Sequence, residues 1–412
     1  MGKYVEFEKK TKKLFDHRKM YRMPWNLADN VAAWLEVTTK CNLYCKGCYR
    51  ENTDHHKTLE EISLELDVLA ESRTFDGLSI AGGEPLLHPN IIEIVHMVTR
   101  RGWKPAILTN GELLTKKLIK GLRDAGLYKF TIHVDSKQNR LGWIGKTEVE
   151  LNDLRLKFAD MVNDVGVVSC NFNTTVYGET LKYVPDIVAW TIQHVEVVHG
   201  MTFLCYRAPN YKEFDYWVEG KNINFGETYY SKPPDLEQER IDITSEDIAK
   251  KVMEVLPDYS PSAYLNGTEE PDSLKWGICG RVGTNKKTYG YIGPKTVEVA
   301  QVGMHLLTGR YLSFRKPSKL GIWSWASWMW IFDKELRKAL VSYLLDVKAF
   351  FPKLHLQTID LHQPIDLLPD GRQNMCDGCP DMIVWNGRLV WSCRLDECLK
   401  FGNMAYTTPK KG

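Results

Sequence analysis

Ten cysteines occur in this chain of 412 residues, and seven of them fall into two clusters. Cys41, Cys45 and Cys48 are spaced C-x3-C-x2-C. Three soft thiolates so close together can wrap one loop around a metal centre. They are one short of the four that normally hold a [4Fe–4S] cluster, which leaves one iron open to a small molecule. A structural zinc site completed by His55 or His56 suits the same donors. The second cluster is Cys376, Cys379, Cys393 and Cys398, spaced C-x2-C-x13-C-x4-C. A zinc ribbon has a C-x2-C…C-x2-C frame, so the last spacing departs from it. Metal ligation is expected at both clusters. Cys170, Cys205 and Cys279 are scattered.

The elements that must position these residues read as a β-α alternation. Trp34–Thr39 reads as a strand running into the first cysteine loop. Further strands are expected at 77–81, 105–109, 129–134, 167–176 and 195–205, with helical spacing between them. Strict alternation implies a parallel sheet with helical crossovers. Six units suit an open (β/α)6 barrel, in which chemistry gathers at the C-terminal strand ends. Polar and unusual residues sit there: the three cysteines after the first strand, Gly82-Gly83-Glu84-Pro85 after the second, and Asn110-Gly111 after the third. Asp135-Ser136 follow the fourth, Asn171 and Asn173 lie in the fifth, and Cys205 ends the sixth. At the other end of the chain, Asn386-Gly387 between apolar flanks predicts a hairpin linking the C-terminal cysteines.

Composition is that of a soluble globular protein, with a net charge of only +2, so no global field recruits nucleic acid. A long chain with clustered cysteines and no signal peptide is expected in the cytosol, with its thiols as metal ligands. Residues 1–22 carry eight Lys/Arg against three Asp/Glu. They read either as a basic amphipathic helix on an anionic membrane or as an arm docking its apolar stripe on the body. Residues 208–240 are aromatic and charged and read as a lid. Residues 320–332 carry no charge and hold Trp323, Trp325, Trp328 and Trp330, either core or lipid-contacting.

Cys41–Cys48 followed by Gly82–Pro85 resembles the radical S-adenosylmethionine (SAM) superfamily over about residues 30–206. The resemblance implies an α/β partial (β/α)6 TIM-like barrel at 31–206, after a basic arm at 1–30. A lid or insertion with a helix spans 207–260. A C-terminal SPASM/twitch-like domain with an auxiliary cluster spans 261–412. It implies that Cys41, Cys45 and Cys48 hold a [4Fe–4S] cluster whose open iron chelates SAM. Gly82, Gly83, Glu84 and Pro85 would meet the SAM amino group, and Asn110, Asp135, Ser136 and Asn173 the rest of it. Cys376, Cys379, Cys393 and Cys398 would hold an auxiliary [4Fe–4S] cluster, with Cys279 as another candidate fourth ligand. Many family members place an aromatic residue before the third cysteine; here it is Gly47, and Tyr44 or Tyr49 would stand in. The implied activity is reductive SAM cleavage to a 5′-deoxyadenosyl radical that takes hydrogen from an unreactive C–H. The reductant would be flavodoxin or ferredoxin, and the protein would be oxygen-sensitive. Cys205 could return a hydrogen atom to a substrate radical; a buried strand cysteine is its commoner fate. The basic start, the lid and the tryptophans favour a hydrophobic or lipid-like substrate, with peripheral membrane contact. A small polar metabolite or a peptide, and a non-catalytic zinc or iron–sulfur module, are the alternatives.

Overall fold

The computed structural model describes residues 13–48, 50–224, 240–315, 329–346 and 353–410. Six strands appear where the alternation places them: β1 Ala32–Glu36, β2 Gly77–Ala81, β3 Lys104–Thr109, β4 Lys129–His133, β5 Ser169–Val176 and β6 Gly200–Cys205. All five pairings between neighbours are parallel. The crossover helices are α1 Leu59–Ser72, α2 Ile91–Arg100, α3 Lys116–Asp124, α4 Asn152–Val165 and α5 Val184–Gln193. Thr58 starts α1 with a reciprocal capping box to Glu61, worth about 1 kcal/mol. One apolar core joins these helices to Leu35, Ile80, Ile107, Phe130, Phe172 and Phe203 on the convex face of the sheet.

The sheet does not stop at the sixth strand. After the hairpin β7 Phe214–Val218 and β8 Lys221–Ile223 and helix α6 Ser245–Val252, the chain adds short strands β9 Ala263–Leu265, β10 Trp276–Ile278, β11 Gly280–Gly283 and β12 Thr288–Tyr291. Helices α7 Pro294–Thr308 and α8 Lys334–Leu344 follow. Then β13, His355–His362, pairs parallel with β6 and becomes a seventh strand of the barrel. On its other side β13 pairs antiparallel with β10 and β11. The expected boundaries at 207 and 261 therefore do not divide the sheet, which runs across both.

The remaining C-terminal chain covers the concave face. The predicted hairpin is β14 Met382–Trp385 and β15 Arg388–Trp391, with Asn386 and Gly387 both at positive φ as a two-residue turn requires. Its Ile383 and Val390 pack on Trp34 and Ala81, which face inward from β1 and β2. Helix α9 Leu395–Phe401 and strand β16 Tyr406–Pro409 end the fold, and β16 pairs with β7. The start of the expected lid is thus a hairpin held by the C-terminal strand; Tyr229, Tyr230 and the paired prolines lie outside the described residues. So do residues 1–12 and Trp323, Trp325 and Trp328. Leu14 and Phe15 pack against the main core, as a docked arm would. Among the described residues no helix is long and apolar enough to cross a membrane.

Candidate functional site

Cys41, Cys45 and Cys48 lie on the loop that leaves β1, over the C-terminal strand ends. Cys45 bridges to Gln138, and the Lys46 N–H donates to the Lys137 carbonyl at 3.0 Å, which ties this loop to the one after β4. Burial raises all three thiols above their ordinary values, most strongly at Cys45. Backbone N–H groups point at the sulfurs: Leu43 to Cys41 and Arg50 to Cys48, both at 3.4 Å. The His55 carbonyl accepts from the Thr38 hydroxyl, and the His56 ring packs edge-on against His88. Among the described residues no three His, Cys, Asp or Glu side chains converge to hold a single ion.

The glycine turn is packed directly on this loop. The Gly83 N–H donates to the Thr38 carbonyl and the Glu84 N–H to the Lys40 carbonyl, both at 2.8 Å. A Cβ on Gly83 would overlap that Lys40 carbonyl, one residue before Cys41. The Glu84 side chain also braces the turn. One carboxylate oxygen accepts from the Leu86 N–H (3.0 Å) and the Thr109 hydroxyl (2.6 Å), the other from the Asn110 N–H (2.7 Å). Those bonds lock the turn to the end of β3 and leave one lone pair of the carboxylate without a donor among them. Asn110 is likewise held, donating to Asn42 at 2.7 Å and accepting from the Glu112 N–H. Pro85 opens the short 3-10 turn capped by Glu84.

Asp135 accepts from His133 Nε2 at 2.7 Å and from the Lys137 N–H at 2.8 Å. Burial pushes its carboxyl up, but His133, the Lys137 N–H and Arg140 outweigh it and leave it below the ordinary value. The Ser136 N–H donates to Glu148, which pairs with the fully buried Arg155 at 2.6 Å. Asn173 faces the interior with its Oδ1 buried and unpartnered. So is the hydroxyl of Tyr177, which stacks on Tyr206 with ring centroids 4.6 Å apart. A Cβ at Gly47 would meet both of these rings, so they fill the space where an aromatic residue was expected. Tyr44 is exposed, and Tyr49 lies outside the described residues.

Cys205 is corrected by strand parity. On β6 the inward residues are Thr202 and Leu204; Cys205 points the other way, into the core against the helices. Burial raises its thiol to about 12. It is not at the barrel mouth.

At the second cluster, Cys376, Cys379 and Cys393 act on one another. The Cys376 thiol, then burial, then Cys393 push Cys379 well up; burial raises Cys393 to about 12, with Cys376 next. A Cβ on Gly378, at φ +70°, would overlap the Trp25 carbonyl, so this knuckle also needs its glycine. Arg73, 3% exposed, donates to the Cys379 and Pro380 carbonyls and to Ala32 on β1. Cys398 stands apart: α9 turns it into the cluster of Trp34, Ala81 and Ile383, while Cys376 and Cys379 pack with Trp276 and Trp391. Cys279 is buried with Tyr259 in the main core. Neither joins the three.

Between the two cysteine sets the barrel is hollow. Registers align inward residues in layers: Thr131, Asn171, Gly200 and Thr358, then His133, Asn173, Thr202 and Asp360, then Thr175, Leu204 and His362. A packed barrel fills its interior with apolar side chains. Here the inward residues of β4, β6 and β13 keep accessible surface while nearly all their outward neighbours are buried. Lys129 enters the hollow under the Phe314 ring, and its charge acts on Asp360, His362 and Asp381. Its ammonium has no hydrogen bond or ion pair among the described residues. His362 stacks on Trp276 at 3.8 Å, beside Cys376 and Cys379. Sequence reasoning missed Lys129, Asp360, His362 and Asp381; the first three lie at inward positions of β4 and β13.

Burial raises Asp381 to about 7 and Asp360 to about 6, from an ordinary 3.8. Between 3.8 and those values the folded chain holds protons that the unfolded chain has released, so stability falls as pH rises through this window. Asp381→Asn is expected to shrink the loss of Tm between about pH 5 and about pH 8, read by scanning calorimetry. An unchanged loss would contradict the assignment.

Residues 35–191 match the family model described as Radical SAM superfamily. This chain carries a radical SAM domain. The curated relatives of the domain are similar over limited stretches. The probable GTP 3′,8-cyclase of Methanocaldococcus jannaschii is 29% identical over 165 residues, 37% of this chain and 52% of that protein. The S-adenosylmethionine-dependent nucleotide dehydratase of Selenomonas ruminantium is 39% identical over 105 residues, 25% of this chain and 38% of that protein. The subtilosin biosynthesis protein AlbA of Bacillus subtilis is 36% identical over 95 residues, 22% of this chain and 21% of that protein. The chain thus spans about half the length, or less, of these relatives. The crystal structure of Streptococcus suis SuiB aligns with a TM-score of 0.40 at 16% identity, covering 57% of this chain and 47% of that one. A radical SAM domain works with a [4Fe–4S] cluster and SAM. Its donor set fits the first cysteine loop: three clustered thiols, N–H groups aimed at two of the sulfurs, and buried unpartnered acceptors on Asn173 and Tyr177 beside them.

Proposed function

We propose that the protein is a radical SAM enzyme acting on a small polar substrate inside the barrel. Cys41, Cys45 and Cys48 hold the [4Fe–4S] cluster that, once reduced by a flavodoxin or ferredoxin, cleaves SAM. The resulting 5′-deoxyadenosyl radical takes hydrogen from an unreactive C–H. Gly82 and Gly83 shape the turn beside the cluster loop; Asp135, Ser136, Asn173 and Tyr177 line the SAM side of the mouth. Cys376, Cys379 and Cys393 hold an auxiliary cluster of the SPASM/twitch kind.

The observation that carries the substrate class is the polar interior. Lys129, His362 and Asp381 keep accessible surface, and the Lys129 ammonium has no ion pair among the described residues, so water or a ligand can meet them there. Lys129 suits an anionic group such as a carboxylate or phosphate, and the Trp276–His362 stack a flat or apolar portion. A lipid chain would leave the Lys129 ammonium with neither water nor a counter-ion. Exposed Leu306, Leu307 and Leu345 on and beside α7 and α8 favour a second reading only for where the protein resides, namely peripheral membrane contact.

Anaerobically reconstituted protein is expected to carry about eight irons, two [4Fe–4S] clusters. With SAM, dithionite and extract from cells grown in heavy water, it should transfer deuterium into 5′-deoxyadenosine. Transfer from the water-soluble fraction supports the polar substrate; transfer from the lipid fraction alone refutes it. Lys129→Met should lose that transfer while still releasing unlabelled 5′-deoxyadenosine.

A further inference from the structure

The two cysteine centres meet at one buried side chain. Arg50 lies two residues after Cys48. Its Nε donates to Glu36, the last residue of β1, at 2.8 Å. One terminal nitrogen donates to Asp396 on α9 at 2.7 Å; the other donates to the Ser392 carbonyl at 2.6 Å and also contacts Glu36. Ser392 immediately precedes Cys393. The side chains of Arg50, Glu36 and Asp396 are 7%, 7% and 8% exposed. Trp34 donates to the same Glu36 carboxylate at 3.1 Å, and Lys400 of α9 pairs with Glu51 at 3.4 Å. Three pieces of chain distant in sequence are therefore fixed by one guanidinium.

A buried charge network of this kind contributes little net stability, because desolvating three ions offsets their attraction. What it supplies is geometry and field. Arg presents donors in a rigid fork that a lysine cannot reproduce. We propose that Arg50 is a positioning residue shared by both iron–sulfur centres: it sets the Cys48 loop against the Cys393 loop, and its positive charge offsets the Glu36 and Asp396 carboxylates buried beside them. The proposal rests on the reading that both cysteine sets hold clusters. A nearby positive charge in a medium of low dielectric favours the cluster state that carries the extra electron.

The test is an anaerobic redox titration of the reconstituted full-length protein, following the EPR signal of each cluster. Arg50→Gln is expected to lower both midpoint potentials, and Arg50→Lys to bring both back toward wild type. Asp396→Asn, which removes a negative charge with little change of shape, should raise the potential of the Cys41–Cys48 cluster. A shift confined to one cluster in Arg50→Gln, or none, overturns the proposal, as does a lysine variant shifted as far as the glutamine one. If Arg50→Gln does not fold, the sign of the Asp396→Asn shift decides: upward supports, absent or downward overturns. Wild-type protein lacking iron at either cysteine set would defeat the function proposed above as well; two intact clusters that ignore these variants would defeat the Arg50 proposal alone.

Discussion

Cys45→Ala is expected to bring 5′-deoxyadenosine release down to the background without SAM, while Cys393→Ala retains the release and loses deuterium transfer from substrate. The structure makes this a clean comparison. The backbone at Cys45 is held from outside its side chain, by the bridge to Gln138 and by the Lys46 N–H on Lys137. Removing one sulfur therefore deletes a ligand without freeing the loop. Two remaining thiols cannot hold a cuboidal cluster that already lacks its fourth cysteine. Cys393 belongs to the other centre, and its loss leaves the glycine turn and Asp135 in place. Chromatographic quantitation of 5′-deoxyadenosine checks both variants. Undiminished release from Cys45→Ala would refute the assignment of the first centre.

Glu148→Ala is expected to destabilise the fold by about 3–5 kcal/mol, the usual cost of stranding one partner of a buried ion pair. Arg155 is fully buried and bonds Glu148, the Val134 carbonyl and Asn152. Without the carboxylate its charge has no counterpart at 2.6 Å. The same carboxylate accepts from the Ser136 N–H, so the loop bearing Asp135 loosens too. Replacing both members, Glu148→Leu with Arg155→Met, should recover much of the stability and none of the loop geometry. Urea unfolding separates these outcomes; a single variant within about 1 kcal/mol of wild type would count against the buried pair as an anchor.

The positions of the first six strands could be read from sequence because buried parallel strands are short apolar runs between turn residues. The cysteine loop, the glycine turn and Asp135 then fell at strand ends by topology alone. What could not be read was direction. A strand buried on both faces carries no alternation to say which residues look inward, so Cys205 was expected at the mouth although parity turns it outward. Glu84 was legible as buried but not as a strut of the turn, since its three donors include Thr109 and Asn110 from the next strand. Cys398 follows the spacing of a ligand, yet one turn of α9 carries it into an apolar cluster. The largest omission was β13. Its partner in the sheet is far away in sequence, and nothing in the run His355–His362 announces a barrel strand.

That pairing has a consequence for how the protein is made. Gly200 and Thr358 are sheet neighbours, but a ribosome releases them in order, at about 5–20 residues per second. For roughly 8–30 seconds, at that rate, the nascent chain holds a finished β6 with an open edge. Open edges invite pairing with other chains, and long-range closures are slow. The polar hollow and its far wall do not exist until the last fifth of the chain emerges. Until then an iron–sulfur centre on the first cysteine loop would stand beside an unsealed chamber, exposed to solvent and oxidant. A centre loaded before β13 arrives would therefore be more exposed than one loaded after it.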